Sequence, residues 1–285
     1  MSKSSNEIVG SAAAVRELYL DLMKKCLTFS LWDGKDGSIP IPKPEDFEPL
    51  AKRALKKVLR RQSKNQAAQQ RIEQPRLDGR DWPVLAHTMI GLKRLDNLQE
   101  CVEHVLMENV PGDLIETGVW RGGATIFMRA ILEAHGVRDR RVWAADSFAG
   151  LPPPDAAKYP ADANDKHHRL KPLAVTLQDV KGNFEKYGLL DGQVCFLKGW
   201  FKDTLPNAPI KQLSVVRLDG DMYESTMDGL TNLYPKLSIG GFVIVDDFGA
   251  VAGCRQAVED YRKKNGISEP ITQIDWGGVF WQRRS

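Results

Sequence analysis

The feature that most constrains the fold is a regular alternation of short apolar runs with longer amphipathic stretches, which begins after Trp82. The apolar runs are rich in Val, Ile and Phe. They are residues 113–119, 141–148, 193–199, 213–220 and 240–247. Stretches with helical character lie between them, such as GATIFMRAILEAHG and TLQDVKGNFEKYG. Buried strands that alternate with helices are typical of a parallel sheet. The sequence therefore predicts an α/β domain over residues 82–285, with helices on both faces of the sheet.

Residues 270–284 depart from this alternation. The segment PITQIDWGGVFWQRR contains two strand-like runs around Gly277 and Gly278, with no room for a helix between them. Two short runs joined by a glycine turn are typical of a β-hairpin. We therefore expect an antiparallel hairpin that turns back on the parallel sheet.

Residues 1–81 differ in character and are predicted to form an N-terminal helical extension or lid region. Apolar residues recur at helical spacing in residues 15–27, and residues 38–49 form a proline-rich break. Residues 50–74 are then predicted to form a second helix, in which a narrow apolar stripe lies among lysines and arginines. The chain is therefore expected to consist of this extension and the α/β domain.

The predicted second helix lies in a basic segment, since residues 51–80 hold ten Lys or Arg against two acids. Nucleic acid, an anionic membrane or a carrier protein would match that charge. No aromatic residue is interleaved for base stacking, which favours a solvated helix packed by its apolar stripe on the body or on a second subunit. We therefore expect a homo-oligomer and disfavour a nucleic-acid partner.

The rest of the composition excludes several classes of protein. No apolar run reaches the roughly 18 residues of a membrane span, and the N-terminal MSKSSNEIVG lacks the plan of a signal peptide. The four cysteines are scattered, without a CxxC pair or zinc-ligand spacing. We expect a cytoplasmic protein with reduced thiols and no membrane span.

The segment ETGVWRGGAT, residues 116–125, follows the first strand and opens a helix. Glycines at such a turn let the backbone approach a ligand. The dinucleotide fingerprint G-x-G-x-x-G is absent, and Glu116 would repel a pyrophosphate, so a cationic ligand fits better. Asp146 ends the second strand, where α/β folds commonly bind a ribose hydroxyl. These features indicate S-adenosylmethionine, and the structural alternative is a glycine turn capped by Asp146.

Two acidic pairs follow two further strands. Asp219 and Asp221 bracket Gly220, and Asp246 and Asp247 are adjacent. Ligands of open α/β sheets bind outside the carboxyl ends of the strands, where both pairs are expected. Carboxylates this close repel one another, and a divalent cation removes the conflict. Oxygen ligands without His or Cys favour Mg²⁺ or Mn²⁺, and solvated loop acids are the alternative.

A metal beside a methyl-donor site indicates O-methylation. A vicinal diol can chelate Mg²⁺, which lowers the pKa of the bound hydroxyl, and a nearby carboxylate can then take the proton. The oxygen would attack the sulfonium methyl in line, with most of the acceleration coming from positioning.

Six segments from Trp82 onward carry a family resemblance. They are AHTMIGLKRLDNLQ, ETGVWRGGA, WAADSFAGLP, NFEKYGLLDGQVCFLKGWFKDTLP, LDGDMYESTMD and GGFVIVDDF. In order and spacing they resemble the macrocin O-methyltransferase family. The resemblance implies a class I methyltransferase (Rossmann-like) fold, S-adenosylmethionine as donor, Mg²⁺ as cofactor, and a deoxysugar hydroxyl on a natural product as acceptor. Residues 1–81 match less clearly.

The resemblance also implies roles for single residues. Asp219, Asp246 and Asp247 are the expected metal ligands. Asp221 is the expected general base, with Asp219 as the alternative. The expected donor-binding residues are Thr88, Met89, Glu116, Gly118, Arg121, Gly122, Gly123, Asp146, Ser147, Gly199 and Trp200.

The polar, proline-rich segment 150–173 is predicted to be a loop, and the resemblance implies that it covers the acceptor. His167 and His168 in this loop are interpreted as surface residues before substrate contacts, and His87 as a packing or hydrogen-bonding residue.

The resulting hypothesis is a Mg²⁺-dependent O-methyltransferase that acts on a sugar or diol of an antibiotic-type secondary metabolite. The alternatives are methylation of a catechol or polyketide hydroxyl, a donor-binding scaffold without turnover, and a nucleic-acid-associated protein that uses the basic helix. The four intact strand-end carboxylates argue against the scaffold.

Overall fold

The computed structural model describes residues 2–32, 39–40 and 74–285. The predicted basic helix over residues 50–74 lies outside the described residues, apart from its last position. Most of the proline-rich segment 38–49 lies outside them as well.

The described residues form eight α-helices and nine strands. The helices are α1 (Ser2–Leu27), α2 (Gln74–Asp78), α3 (Leu92–Met107), α4 (Gly123–Ala134), α5 (Leu177–Lys186), α6 (Phe201–Thr204), α7 (Tyr223–Leu233) and α8 (Ala252–Lys264). The strands are β1 (Ile39–Pro40), β2 (Asp81–Trp82), β3 (Asp113–Thr117), β4 (Val142–Asp146), β5 (Val194–Lys198), β6 (Leu213–Leu218), β7 (Leu237–Val245), β8 (Thr272–Gln273) and β9 (Val279–Gln282).

Seven of the strands form the main sheet, in the order β5-β4-β3-β6-β7-β9-β8. The first five of these are parallel, and β9 pairs antiparallel with both β7 and β8. The prediction of a parallel sheet with a C-terminal antiparallel hairpin is therefore confirmed. The small remaining sheet pairs β1 with β2.

Helices cover both faces of the sheet, as predicted. One buried cluster joins the sheet to α1, α3 and α4, and includes Leu27, Leu98 and Ile131. The other joins it to α7 and α8, and includes Leu230 and Val258. Burial of this apolar surface is the main favourable contribution to folding. Because Leu27 belongs to the first cluster, α1 packs directly on the α/β domain.

The structure also describes the four cysteines and the apolar character of the helices. Cys26, Cys101, Cys195 and Cys254 are all free thiols. Among the helices in the described part of the chain, none is both long and apolar enough to cross a bilayer.

Candidate active site

The parallel strands bring several acidic residues to one edge of the sheet, at their carboxyl ends. Asp146 is the last residue of β4, Asp219 follows β6, and Asp246 and Asp247 follow β7. One carboxylate oxygen from each of Asp219, Asp246 and Asp247 lies within 4.8 Å of the other two. The structure thus brings together the three predicted metal ligands.

Two buried arginines hold this carboxylate cluster. One nitrogen of Arg217 lies 2.5 Å from Glu116 Oε1 and 2.7 Å from Asp219 Oδ2, and the other donates to Asp246 Oδ1. Arg94 donates to the second oxygen of Asp246. Both oxygens of Asp246 are therefore engaged by guanidinium groups, which fixes the orientation of its carboxylate.

Arg94 also ties the cluster to the C-terminal hairpin. Its Nε donates to Asp275 Oδ2 at 2.8 Å, and Asp275 in turn accepts the backbone N–H groups of Gly277 and Gly278. The turn between β8 and β9 is therefore fastened to the edge of the sheet that carries the carboxylate cluster.

The two arginines leave the cluster with excess negative charge, because they face the carboxylates of Glu116, Asp219, Asp246, Asp247 and Asp275. Burial raises the pKa of Asp219 well above its usual value, and repulsion from Asp246 raises it further. Burial likewise raises the pKa of Asp247, with repulsion from Asp221 and Asp219 added. A divalent cation on these oxygens would relieve both effects, so the residues present fit such an ion.

Asp221 lies beside this cluster and faces the adjoining cleft. Its backbone is left-handed, with φ of 58°, which is strained for a residue other than glycine. Its N–H donates to Asp247 Oδ2 at 3.1 Å, so the turn is anchored to a predicted metal ligand. Burial raises the pKa of the Asp221 carboxyl, and His167 opposes that rise.

The glycine turn after β3 contacts the same edge. Gly118 has φ of 84°, and a Cβ atom there would lie 1.6 Å from the backbone oxygen of Asp219. Only glycine permits this approach. The turn that was predicted to bind the donor therefore touches the strand end that carries Asp219.

Asp146 organises this turn. Its Oδ2 accepts the N–H of Val119 at 2.7 Å and of Trp120 at 3.4 Å, and its Oδ1 accepts the N–H of Phe148 at 2.7 Å. Burial raises the pKa of Asp146, and these backbone donors lower it. Asp146 thus holds the glycine turn and also lies on the cleft wall. It does not cap the following helix, as the structural alternative required, because the N-cap is Gly122 and no side chain caps it.

A cleft that is open to solvent lies over these elements. Eight of the residues predicted for the donor or for catalysis line it, and an apolar wall completes it. The predicted residues that line it are Met89, Gly118, Asp146, Ser147, Gly199, Trp200, Asp219 and Asp221, if the base is included. The apolar wall is formed by Trp120, Leu151, Pro152, Leu173 and Phe201. Apolar walls with a few convergent polar groups are typical of small-molecule sites.

Seven other predicted site residues do not line this cleft. They are Thr88, Glu116, Arg121, Gly122, Gly123 and the predicted metal ligands Asp246 and Asp247. Glu116 is buried, and its carboxylate accepts from Arg217 and from the hydroxyl of Thr125. Burial raises its pKa, and Arg217 lowers it.

Arg121 and Gly123 hold the segment that precedes α3. Arg121 donates to the backbone oxygens of Val84 and Ala86, at 2.8 Å in each case. The N–H of Gly123 donates to the oxygen of His87 at 3.0 Å, and a Cβ atom on Gly123 would lie 2.5 Å from Thr88 Cβ. Arg121 and Gly123 do not line the cleft themselves. They hold the segment that carries Met89, and Met89 lines the cleft.

Sequence reasoning missed several residues of the site. Arg94 and Arg217 were not singled out, although Arg217 stands in the middle of the apolar run SVVRLDG. A charged residue inside a buried strand requires charged partners, and this signal would have identified Arg217. Glu224 and Asp228 on α7 also line the cleft, and burial, with repulsion from Glu224, raises the pKa of Asp228 to about 6.

The histidines differ in role. His87 Nδ1 is hydrogen-bonded to the Tyr187 hydroxyl at 2.7 Å, and burial lowers its pKa to about 4, as suits the predicted packing residue. About a third of the His167 side chain is exposed, and its Nδ1 lies 2.6 Å from Asp165 Oδ2. Burial lowers the pKa of His167, but the hydrogen bond to Asp165 and the charge of Asp221 outweigh this effect and raise the pKa to about 9.

With this geometry established, known proteins identify the family. The family model described as macrocin O-methyltransferase (TylF) matches residues 16–283. The chain belongs to the macrocin O-methyltransferase family. It is accordingly an O-methyltransferase with the class I, S-adenosylmethionine-dependent fold, and the predicted resemblance is confirmed.

Curated relatives and solved structures agree with this assignment. The chain is 56% identical over 268 residues, or 94% of its length and 93% of the relative's, to 8-demethyl-8-(2,3-dimethoxy-α-L-rhamnosyl)-tetracenomycin-C 4′-O-methyltransferase of Streptomyces olivaceus. It is 58% identical to demethyldecarbamoylnovobiocin O-methyltransferase of Streptomyces niveus, over 74% of this chain and 81% of that one. The solved O-methyltransferase NovP is 49% identical, with a TM-score of 0.80 over 95% of this chain and 100% of that one.

Proposed function

We propose that this macrocin O-methyltransferase family member transfers a methyl group from S-adenosylmethionine to a sugar hydroxyl of a glycosylated natural product, with Mg²⁺ as cofactor. The observation that carries the proposal is the contact between the glycine turn at Gly118 and the strand end that carries Asp219. It joins a donor-type turn on the cleft wall to the carboxylate cluster, of which Asp219 also lines the cleft.

The acceptor class is inferred from the relatives. The Streptomyces olivaceus enzyme is named for a rhamnosyl derivative of tetracenomycin C, and the Streptomyces niveus enzyme for a novobiocin precursor. A hydroxyl on a deoxysugar attached to an antibiotic scaffold is the acceptor that these names support for this chain.

The donor would be held by residues of the cleft wall. Asp146 is suited to accept from the ribose hydroxyls, and Met89 and Trp200 would contact apolar parts of the donor. The sulfonium group of the donor supplies an electrophilic methyl group. Glu116 would act indirectly, because it orients Arg217 beneath the turn.

Asp219, Asp246 and Asp247 would hold Mg²⁺, since their oxygens are close together and carry excess negative charge. When bound, Mg²⁺ would orient the acceptor diol and lower the pKa of its hydroxyl. Asp221 faces the same cleft and would take the hydroxyl proton on its carboxylate.

We also propose that residues 1–81 form a helical extension of the methyltransferase domain and that the enzyme is a homo-oligomer. The second proposal is supported by the outer face of α1, where Val15, Leu18 and Leu22 are exposed at helical spacing. Such a face is suited to a second subunit.

Calorimetric titration tests the donor and metal assignments. S-adenosylmethionine and then Mg²⁺ are titrated into the wild type, into Asp246→Ala and into Asp203→Ala. Asp203 is an exposed carboxylate on α6 outside the cluster, and serves as the matched control. Loss of Mg²⁺ binding in Asp246→Ala alone, with donor binding retained, supports the assignment. Full methyl transfer in excess EDTA would contradict it.

The acceptor is tested by comparing glycosylated antibiotics with their aglycones and with simple catechols. Methylation of the glycosides alone supports a sugar acceptor. Trp120, Trp200 and Phe201 on the cleft wall make an aromatic acceptor the second candidate, and methylation of catechols or aglycones would favour it.

A further inference from the structure

Helix α7 begins two residues after Asp221, and its first N–H groups need acceptors. The N-cap residue is Met222, whose side chain makes no capping hydrogen bond. The first N–H groups of a helix have no partner within the helix itself, so leaving them unpaired in a buried region is costly.

The hydrogen-bond acceptor for these N–H groups comes from a distant part of the chain. Asp162, in the loop formed by residues 150–173, is buried with an exposed fraction of 2%. Its Oδ1 accepts the N–H of Tyr223 at 2.7 Å, and its Oδ2 accepts the N–H of Glu224 at 3.0 Å. A carboxylate at this position also interacts favourably with the helix dipole.

The packing around Asp162 is close. Gly253 on α8 faces its carboxylate, and a Cβ atom on Gly253 would lie 2.8 Å from Asp162 Oδ1. The same loop is fastened at a second point, where Trp120 Nε1 donates to the oxygen of Pro172 at 2.8 Å. Leu151 and Leu173, near its two ends, line the cleft. The loop therefore spans the site from the glycine turn to the start of α7.

We propose that Asp162 is a positioning residue for methyl transfer, because it couples the docking of this loop to the geometry of Asp221. Between Asp219 and α7 the chain has only Gly220, Asp221 and Met222. Asp221 holds a strained left-handed backbone there, so its conformation depends on what fixes both sides of the turn. On one side, Asp247 accepts the N–H of Asp221. On the other side, Asp162 accepts the N–H of Tyr223 at the start of α7.

The inference rests on the proposed function in one respect, namely that Asp221 takes the acceptor proton. Its structural part is independent of that role. When the loop is docked, α7 is capped and Asp221 is held beside the cluster. When the cap is lost, the turn is free to relax away from its strained conformation.

The test compares Asp162→Ala, Asp162→Asn and the control Asp155→Ala. Asp155 lies in the same loop and accepts the N–H of Lys158 at 3.1 Å, but contacts no residue of α7 through that bond. Hydrogen exchange is measured at the amides of Asp221, Tyr223 and Glu224, together with the Kd for S-adenosylhomocysteine, kcat and KM.

In Asp162→Ala all three amides are expected to exchange faster. The kcat should fall about tenfold to a hundredfold, as expected for a misplaced catalytic group, while donor affinity changes less than about twofold. Asp162→Asn keeps one acceptor oxygen and should be intermediate in both exchange and kcat. Asp155→Ala should match the wild type.

A wild-type kcat in Asp162→Ala, or an Asp221 amide that stays protected when those of Tyr223 and Glu224 do not, would overturn the inference. If the wild type methylated no acceptor, the proposed function would fail, and this result differs from a failure of the inference on Asp162. The exchange at Asp221 then decides the coupling by itself. A fall in donor affinity equal to the fall in kcat would show a general loss of structure and would also overturn it.

Discussion

The guanidinium of Arg217 lies 2.7 Å from the carboxylate of Asp219, two residues further along the chain. Strand periodicity places the two side chains on the same face, and the register places Glu116 directly opposite Arg217. One buried arginine therefore connects the end of β3, the residue that follows β6 and Asp246.

Replacing Arg217 with Met should strongly destabilise the fold, because it leaves several buried carboxylates without a cation. Breaking a buried ion pair on one side costs about 3–5 kcal/mol. The free energy of unfolding is measured by urea denaturation. The double variant Arg217→Met/Glu116→Gln should recover part of the loss, and the surface variant Arg138→Met should change the midpoint little. Equal midpoints for Arg217→Met and Arg138→Met would contradict this role.

Replacing Asp221 with Asn should reduce turnover while leaving ligand binding intact. The amide keeps the shape of the carboxylate but does not take a proton, and loss of a general base typically costs a factor of about 10² to 10⁴. Binding of S-adenosylmethionine and Mg²⁺, measured by calorimetry, should change less than about twofold. The exposed variant Asp203→Asn is the control. Unchanged turnover in Asp221→Asn would show that another residue takes the proton, and Asp219 is the first alternative.

Replacing Asp146 with Ala should weaken donor binding by about tenfold to a hundredfold, the loss expected for a hydrogen bond to a charged group. Asp146 also holds the backbone of Val119 and Trp120, so a loss of affinity has two possible causes. Comparison of S-adenosylhomocysteine with its 2′-deoxy analogue separates them. The wild type should bind the analogue more weakly, and Asp146→Ala should bind both equally. If the wild type bound the two ligands equally, the proposed contact between Asp146 and the ribose 2′-hydroxyl would be contradicted.

His167 should make the stability of the protein depend on pH. Its pKa in the folded state is about 9, above the ordinary value of 6.5, because Asp165 and Asp221 favour the charged ring against the effect of burial. Its contribution to stability is therefore complete below pH 6.5 and is lost as the pH rises through 9. Urea denaturation of the wild type and of His167→Gln should show a difference that shrinks between these values. A constant difference, or the same trend in the neighbouring control His168→Gln, would contradict this assignment.

The fold was largely predictable because its signals are local. Short apolar runs separated by helical stretches define the parallel sheet, and the glycines at 277 and 278 define the hairpin. The same reasoning places Asp146, Asp219 and Asp246 at one edge, because parallel strands end on the same side.

The remainder of the site depends on contacts between distant parts of the chain. Arg94 reaches Asp246 across 152 positions, and no local pattern marks that pairing. Asp162 caps a helix about sixty positions away, whereas a local N-cap would have been visible in sequence. Gly123 resembles a ligand-binding glycine, yet its lack of a side chain serves the packing of His87 and Thr88.

The position of β9 has a consequence for synthesis on the ribosome. This strand lies between β7 and β8, and the turn that precedes it carries Asp275, which holds Arg94. The sheet order and the carboxylate cluster are therefore completed only after residues 275–282 have left the exit tunnel. Until then the edge of β7 that β9 covers in the folded sheet lacks its partner strand, and an unpaired strand edge is prone to pairing with other chains.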